Sequence, residues 1–185
     1  MFNYKEGNIM NTKSISPGFL ILSGMIFIAA FVRLIPHPPN FAPVAAMALF
    51  GGAYFSKKWA AFLIPLAAMF LTDLILGFHS TMWAVYISFV IIVGIGMLMI
   101  KQKKVANIFL ASVSASVLFF VITNFAVWAS GIYYPKDVSG LVASYTAAIP
   151  FFHYTLLGDL FFVALMFGSY ELVKAKFPNL VTIKA

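Results

Sequence analysis

The chain contains no cysteine, which excludes a disulfide framework, a thiolate metal site and a cysteine nucleophile. Charge is almost as scarce: 9% of its 185 residues are Asp, Glu, Lys or Arg, against roughly a quarter in soluble domains. Only five residues are acidic. That poverty excludes a soluble enzyme fold, and the high apolar content excludes disorder. There is no Walker motif or other Gly-rich phosphate loop, so any ATP-driven step needs another subunit. What is present is apolar: 63% of the residues are hydrophobic and mean hydropathy is +0.99. The composition describes an all-α integral membrane protein of one domain, with room for about five to seven spans of some 20 residues.

Breaks in the apolar pattern delimit six segments. Ser16-Pro17 reads as an N-cap with proline at the first helical position, opening a run from Gly18 to Ile35 that Pro36-His37-Pro38-Pro39 must end. A polar tail of 1–16 precedes it, and Arg33 near its end, with no small-residue cleavage site after it, argues against a cleaved signal peptide. Met10 is a second candidate start. Asn40 reads as the cap of a second segment, Phe41 to Phe55, whose fifteen residues cover only about 22 Å of a roughly 30 Å hydrocarbon core. Trp59 to Phe78, Met82 to Ile100, Val105 to Ser130 and Ile149 to Val173 complete the set. Residues 17–174 thus form a single six-helix domain with a short second helix, and 175–185 form a C-terminal tail.

The net charge of +7 raises the question of a nucleic-acid partner, and the positions of the basic residues answer it. Lys5, Lys13, Lys57, Lys58, Lys101, Lys103, Lys104, Lys174, Lys176 and Lys184 fall on one side of the expected topology, and only Arg33 and Lys136 on the other. The positive-inside rule then places both termini in the cytoplasm of a multi-pass inner-membrane protein. Attraction of the lysines to anionic lipid accounts for the excess, so no nucleic acid is expected.

The remaining polar residues gather toward the outer side. His37, His79 and His153 fall at or near the outer face, and Arg33, Asn40, Asp73 and Asn124 in the outer third of their helices. Asp159, ten residues into the sixth segment, lies about 15 Å deep by helical rise. Ionisable groups in a membrane face the bundle interior or a wet cavity and mark a functional site by default. Helical spacing puts Asp73 on one stripe with Phe62, Leu66 and Met69, Asp159 with Phe152, Thr155 and Met166, and Asn124 one turn from Trp128. A few polar groups on an aromatic and Met wall describe a small-molecule pocket.

Plainer readings stand beside these. Trp83 and Trp128 either stack on a ligand ring or belong to the interfacial aromatic belt. Arg33 with Asp73 or Asp159 either binds solute or locks helices together as a buried salt bridge. The Pro-rich run before Asn40 either lets a short helix aim its N–H groups at an anion or merely turns the chain. The loop Gly131 to Ala148, with a weakly amphipathic stretch from Val138 to Ala147, either folds over the opening as a lid or is a plain surface loop. Ala42/Ala46, Ala48/Gly52, Ala111/Ala115 and Ser112/Ser116 permit close helix contacts.

Gly158-Asp159 invites comparison with intramembrane aspartyl proteases, but Leu156 stands where a further glycine belongs and Thr72 where a tyrosine should precede Asp73. The three histidines come from separate loops or ends with no i, i+4 pair, which argues against a metal site. No cofactor is expected.

The run Asn40-Phe-Ala-Pro-Val-Ala-Ala-Met-Ala-Leu-Phe-Gly-Gly-Ala-Tyr-Phe, with Thr72-Asp-Leu-Ile-Leu-Gly-Phe-His79, Asn124-Phe-Ala-Val-Trp128 and Gly158-Asp-Leu-Phe-Phe162, resembles a bacterial family of small six-helix membrane proteins ascribed to transport, without an assigned substrate. The similarity runs from about Arg33 to Tyr170. More distantly, the six-helix plan, the Gly-Gly-rich second segment and the aspartate closing the third helix resemble S components of energy-coupling factor (ECF) vitamin transporters. That resemblance implies a non-enzymatic binding subunit that takes a vitamin or related micronutrient near the outer face and docks on a separate transmembrane subunit with two ATPases. The Ala-x-x-x-Ala coupling motif of those proteins' first helix is absent here, Ala29 being followed four residues later by Arg33. The expected function is therefore binding of a small organic solute, anionic in one reading, for uptake; the alternatives are a non-transporting membrane assembly partner whose buried polar groups serve only packing and, behind it, an intramembrane aspartyl hydrolase. Arg33 and the helix at Asn40 would hold negative groups. Asp73, Asn124, His153 and Asp159 would hydrogen-bond, Trp83 and Trp128 would stack, and His37 and His79 would complete the pocket.

Overall fold

The computed structural model describes residues 16–181. Six helices and a final turn follow one another: α1 Pro17–Val32, α2 Val44–Tyr54, α3 Lys58–Leu76, α4 Met82–Met99, α5 Val105–Ser130, α6 Val138–Lys176 and α7 Pro178–Val181. The helices α3, α4, α5 and α6 are each long and apolar enough to cross a membrane, and α1 and α2 are shorter apolar helices. The chain is an all-helical membrane protein, and many large apolar side chains, among them Ile28, Leu63, Ile75 and Leu98, stand exposed on its flanks.

Local chemistry sets the ends. Ser16 caps α1, its Oγ accepting from the Phe19 N–H at 3.3 Å, and Pro17 sits at the first position. The helix stops at Val32, three residues earlier than expected, and the chain tightens through bonds such as Arg33 N–H to the Ala30 carbonyl. Asn40 does not cap α2. It adopts a left-handed conformation (φ 64°) and turns the chain, while Pro43 occupies the cap position without a side-chain bond. The physical reason is Pro43: its ring disfavours helical dihedrals at Ala42, so the helix begins only after it.

The sixth helix departs most from expectation. The stretch 138–148 is helix, not loop, and is continuous with the apolar segment, so α6 runs for 39 residues. Asp137 starts it, its carboxylate accepting from the Gly140 N–H at 2.7 Å. Pro150 lies inside without ending it. The first turns pack along α5, where Tyr145 donates its hydroxyl to the Val121 carbonyl at 2.7 Å and its ring meets Phe120. The stretch is thus a helix packed on α5 and not a surface loop. At the other extreme, α6 continues to Lys176 and α7 buries Val181 near α1, so the described part of the expected C-terminal tail is folded. Residues 1–15 and 182–185, with Lys5, Lys13 and Lys184, lie outside the described residues.

Successive helices alternate in direction. Phe19 at the start of α1 meets Phe55 and Trp59, at the end of α2 and the start of α3. At the opposite end, Arg33 after α1 meets Asp73 near the end of α3, and Asp73 meets Tyr86 near the start of α4. One end of the bundle carries Lys57, Lys58, Lys101, Lys103, Lys104, Lys174 and Lys176; the other carries Arg33 and Lys136.

The short α2 is the axis of this bundle. Eight of its eleven residues, Ala45 to Gly52, are buried, and it packs against α1, α3, α4, α5 and α6. A helix apolar all round belongs inside a bundle, and α2, only about 16 Å long, is sheathed by its neighbours. Glycine permits this closeness. A Cβ on Gly52 would collide with the Val93 carbonyl, and one on Gly96 with the Leu49 carbonyl, so the α2 and α4 backbones are in direct contact.

Toward the lysine end α2 and α6 are joined by rings. Phe50, Tyr54, Phe167 and Tyr170 interlock, with Tyr54 and Tyr170 4.4 Å apart. The Tyr54 hydroxyl donates to Glu171 at 2.8 Å, and Lys103 Nζ lies 5.4 Å from the Tyr54 ring. Burial holds the Lys103 ammonium below its usual range, with the nearby charge of Lys174 adding to the effect and that of Glu171 opposing it.

Candidate functional site

Two polar assemblies lie toward the lysine-poor end. In the first, Arg33 reaches back from the end of α1 to α3. Its guanidinium donates to Asp73 Oδ1 at 2.6 Å, to the Thr72 hydroxyl and to the Met69 carbonyl at 3.4 Å. The other oxygen of Asp73 accepts from Tyr86 of α4 at 2.7 Å. Asp73 is 1% exposed and Arg33 12%. Three helices are thus joined by a matched ion pair in which both carboxylate oxygens are engaged.

The second assembly centres on Asp159 of α6, which is 3% exposed. Its Oδ2 accepts from the Ser116 hydroxyl of α5 at 2.7 Å, and the backbone N–H of Ala45 lies beside the carboxyl group. The first turn of α2 has no side-chain cap of its own. Asp159 therefore supplies from α6 the negative group that the positive end of α2 attracts.

Above these groups two adjoining cavities open. The larger, about 500 Å³, is lined by Phe119, Phe120 and Phe151 with Asn124, His79 and Ser144 among its polar groups. The smaller, about 290 Å³, reaches Arg33, His37 and Asp159. Asn40, Phe119 and Thr155 border both, so the two lie side by side as adjoining lobes. Volumes of this order suit small ligands.

Of the ten residues singled out from the sequence, six border this opening: Arg33, His37, Asn40 and Asp159 in the smaller lobe, and Asn40, His79 and Asn124 in the larger. Asp73 lies behind Arg33, outside both linings. Trp83 is exposed on the flank of α4. Trp128 donates its ring N–H to the Asp137 carbonyl at 3.1 Å and packs on Phe125, and His153 is exposed with its ring on Tyr154. The histidines do not converge: His37 pairs with the Pro38 carbonyl and His79 with Thr81. Among the described residues no group of three His, Asp or Glu comes together to hold a metal.

Sequence reasoning missed the roles of Tyr86, Ser116 and Phe119. Ser116 carried a signal, a small residue one turn from Ser112, but spacing alone reads that pair as packing. Two features expected to attract an anion, Arg33 and the N-terminus of α2, are both occupied by acids of the chain itself.

The fold and site define a helical membrane protein with an interlocked ring cluster at its lysine end and adjoining cavities toward the other. Residues 13–180 match the family of unknown function DUF6580, and the chain belongs to that family. No curated protein and no solved structure matches it.

Proposed function

We propose that the protein is a solute-binding subunit for uptake, similar in plan to ECF S components, and not an enzyme. It crosses the bacterial inner membrane six times with both termini in the cytoplasm, and it takes a small organic solute, a vitamin or related micronutrient, from outside. The observation that carries this reading is the pair of adjoining cavities at the lysine-poor end, opposite the ring cluster of Phe50, Tyr54, Phe167 and Tyr170. The distribution of lysines supports the orientation, since a lysine-rich end belongs on the cytoplasmic side. The alternation of helix directions supports treating α2 as a crossing whose end is recessed below the surface. Engagement of both Asp73 oxygens by Arg33 and Tyr86 supports the non-enzymatic reading, because a carboxyl so held has no position from which to share a proton with Asp159.

Thermal-shift screening of the purified protein against vitamins and their precursors tests the proposal, with the cavity-filling variant Ala148→Phe as control. A stabilising compound that Ala148→Phe no longer recognises is the expected result. Absence of any stabilising compound, together with proteoliposomes whose solute uptake equals that of empty vesicles, sinks it. Co-purification of an ATPase pair tests the energising partner separately.

The packing of Arg33, Asp73 and Tyr86 favours a second role for part of the polar set, as glue between α1, α3 and α4.

A further inference from the structure

We infer that the cavity selects solutes carrying a protonated amine on an apolar or aromatic body, the amine pairing with Asp159. This rests on the solute-binding reading above and names its substrate class. The argument is one of charge. Beside the imidazole of His37, two ionisable side chains border the smaller lobe, Arg33 and Asp159. The Arg33 cation is matched at 2.6 Å by Asp73, which does not border the lobe, so the pair presents no surplus positive charge. Asp159 has no cation beside it among the described residues. Its partners are the Ser116 hydroxyl and the N-terminus of α2, which carries at most about half a positive charge. The remaining cation at this end, Lys136, lies against Gly131 and borders neither lobe. A carboxyl group without a matching cation is thus left at the wall, where a cationic ligand would hold it ionised.

The surroundings complete the ligand. Phe119 stands between the lobes and Phe120 and Phe151 line the larger one, offering ring faces to an apolar body and a further attraction to a cation. Asn124, Thr123 and Ser144 are uncharged. An anion would meet Asp159 without an unmatched cation to offset it, which reverses the preference that Arg33 suggests when read alone.

The test compares 2-phenylethylamine, 2-phenylethanol and phenylacetate, close in shape and differing in charge at pH 7. Binding to the full chain in neutral-lipid nanodiscs is read by saturation-transfer NMR and titration, with empty nanodiscs subtracted. The amine is expected to bind at least tenfold more tightly than the alcohol, and the acid most weakly. Asp159→Asn should bring the amine down to the affinity of the alcohol, and Ala148→Phe should abolish both. Equal binding of amine and alcohol, or an acid that binds as well as the amine, overturns the inference; loss of that binding in Ala148→Phe then shows that the cavity reading survives. Absence of binding by all three compounds overturns the inference and leaves the solute-binding reading to the vitamin screen. Should Asp159→Asn fail to fold, the ranking of the three probes on the unaltered protein decides the matter.

Discussion

Replacing Arg33 by methionine separates the structural role of this cation from a solute-binding one. The substitution keeps an unbranched apolar stem and removes the guanidinium that donates to Asp73, Thr72 and the Met69 carbonyl. Asp73 then remains 1% exposed with only the Tyr86 hydroxyl as partner. Two unit charges roughly 4 Å apart attract by about 4 kcal/mol at an effective dielectric of about 20, and stranding one member of a buried pair costs about 3–5 kcal/mol. The converse change, Asp73→Leu, should cost less, about 2 kcal/mol, because Arg33 borders the smaller lobe and can take up water there. Arg33→Met/Asp73→Leu, with neither charge, should lose no more than the milder single change, giving a coupling at least as large as the harsher one, about 3–5 kcal/mol. Denaturation in detergent micelles, run as a double-mutant cycle, measures this. Additive losses, or an Arg33→Met protein as stable as the original, would refute the view that the pair joins α1 to α3. A stable Arg33→Met protein that no longer responds to solute would instead return Arg33 to the binding machinery.

Three further outcomes follow from the packing and the caps. Gly52→Ala should destabilise by about 1–3 kcal/mol, because the new methyl meets the Val93 and Met97 backbone, which no rotamer change can move. Gly94→Ala, with nothing within 4 Å of its Cβ, should gain up to about 1 kcal/mol from helix propensity, and equal melting temperatures for the two would contradict the α2–α4 contact. Tyr54→Phe removes the 2.8 Å bond to a half-exposed Glu171 and should cost about 1 kcal/mol while leaving ligand-induced stabilisation intact. The bond from the Gly140 N–H, helped by the Ser139 hydroxyl, holds the Asp137 carboxyl below its ordinary value of 3.8. Its stabilisation of the start of α6 is therefore present above that value and drains away as pH falls through the lower folded one. Amide exchange of residues 138–148 should accelerate in that acidic window, and Asp137→Asn should remove the pH dependence; an unchanged exchange profile speaks against the cap.

Apolar runs and their breaks were enough to locate six helices, because in a membrane the backbone must satisfy its own hydrogen bonds and a continuous apolar stretch has few other options. The bounds of α5 match the expected ones at both ends, where Lys104 and the left-handed Gly131 punctuate it. Segregation of the lysines was equally legible, being a property of loop composition. The start of α6 was not, since Val138 to Ala147 has a mixed composition that a loop and a helix share. Its docking along α5, through Tyr145 and Phe120, settles the matter.

The candidate site divides in the same way. Scarcity of charge in an apolar chain singled out Arg33, Asp73 and Asp159 before any contact was known, because a membrane interior tolerates few ions. Their pairing depended on distances between helices far apart in sequence: Asp73 on Arg33 and Tyr86, and Asp159 on Ser116 at the head of α2. Single-helix periodicity reports which face a residue occupies and is silent on what that face meets. The number and scarcity of the ionisable groups are written in the chain. Which of them pair, and which carboxyl group borders the cavity with no cation beside it among the described residues, follow from how five helices pack around α2.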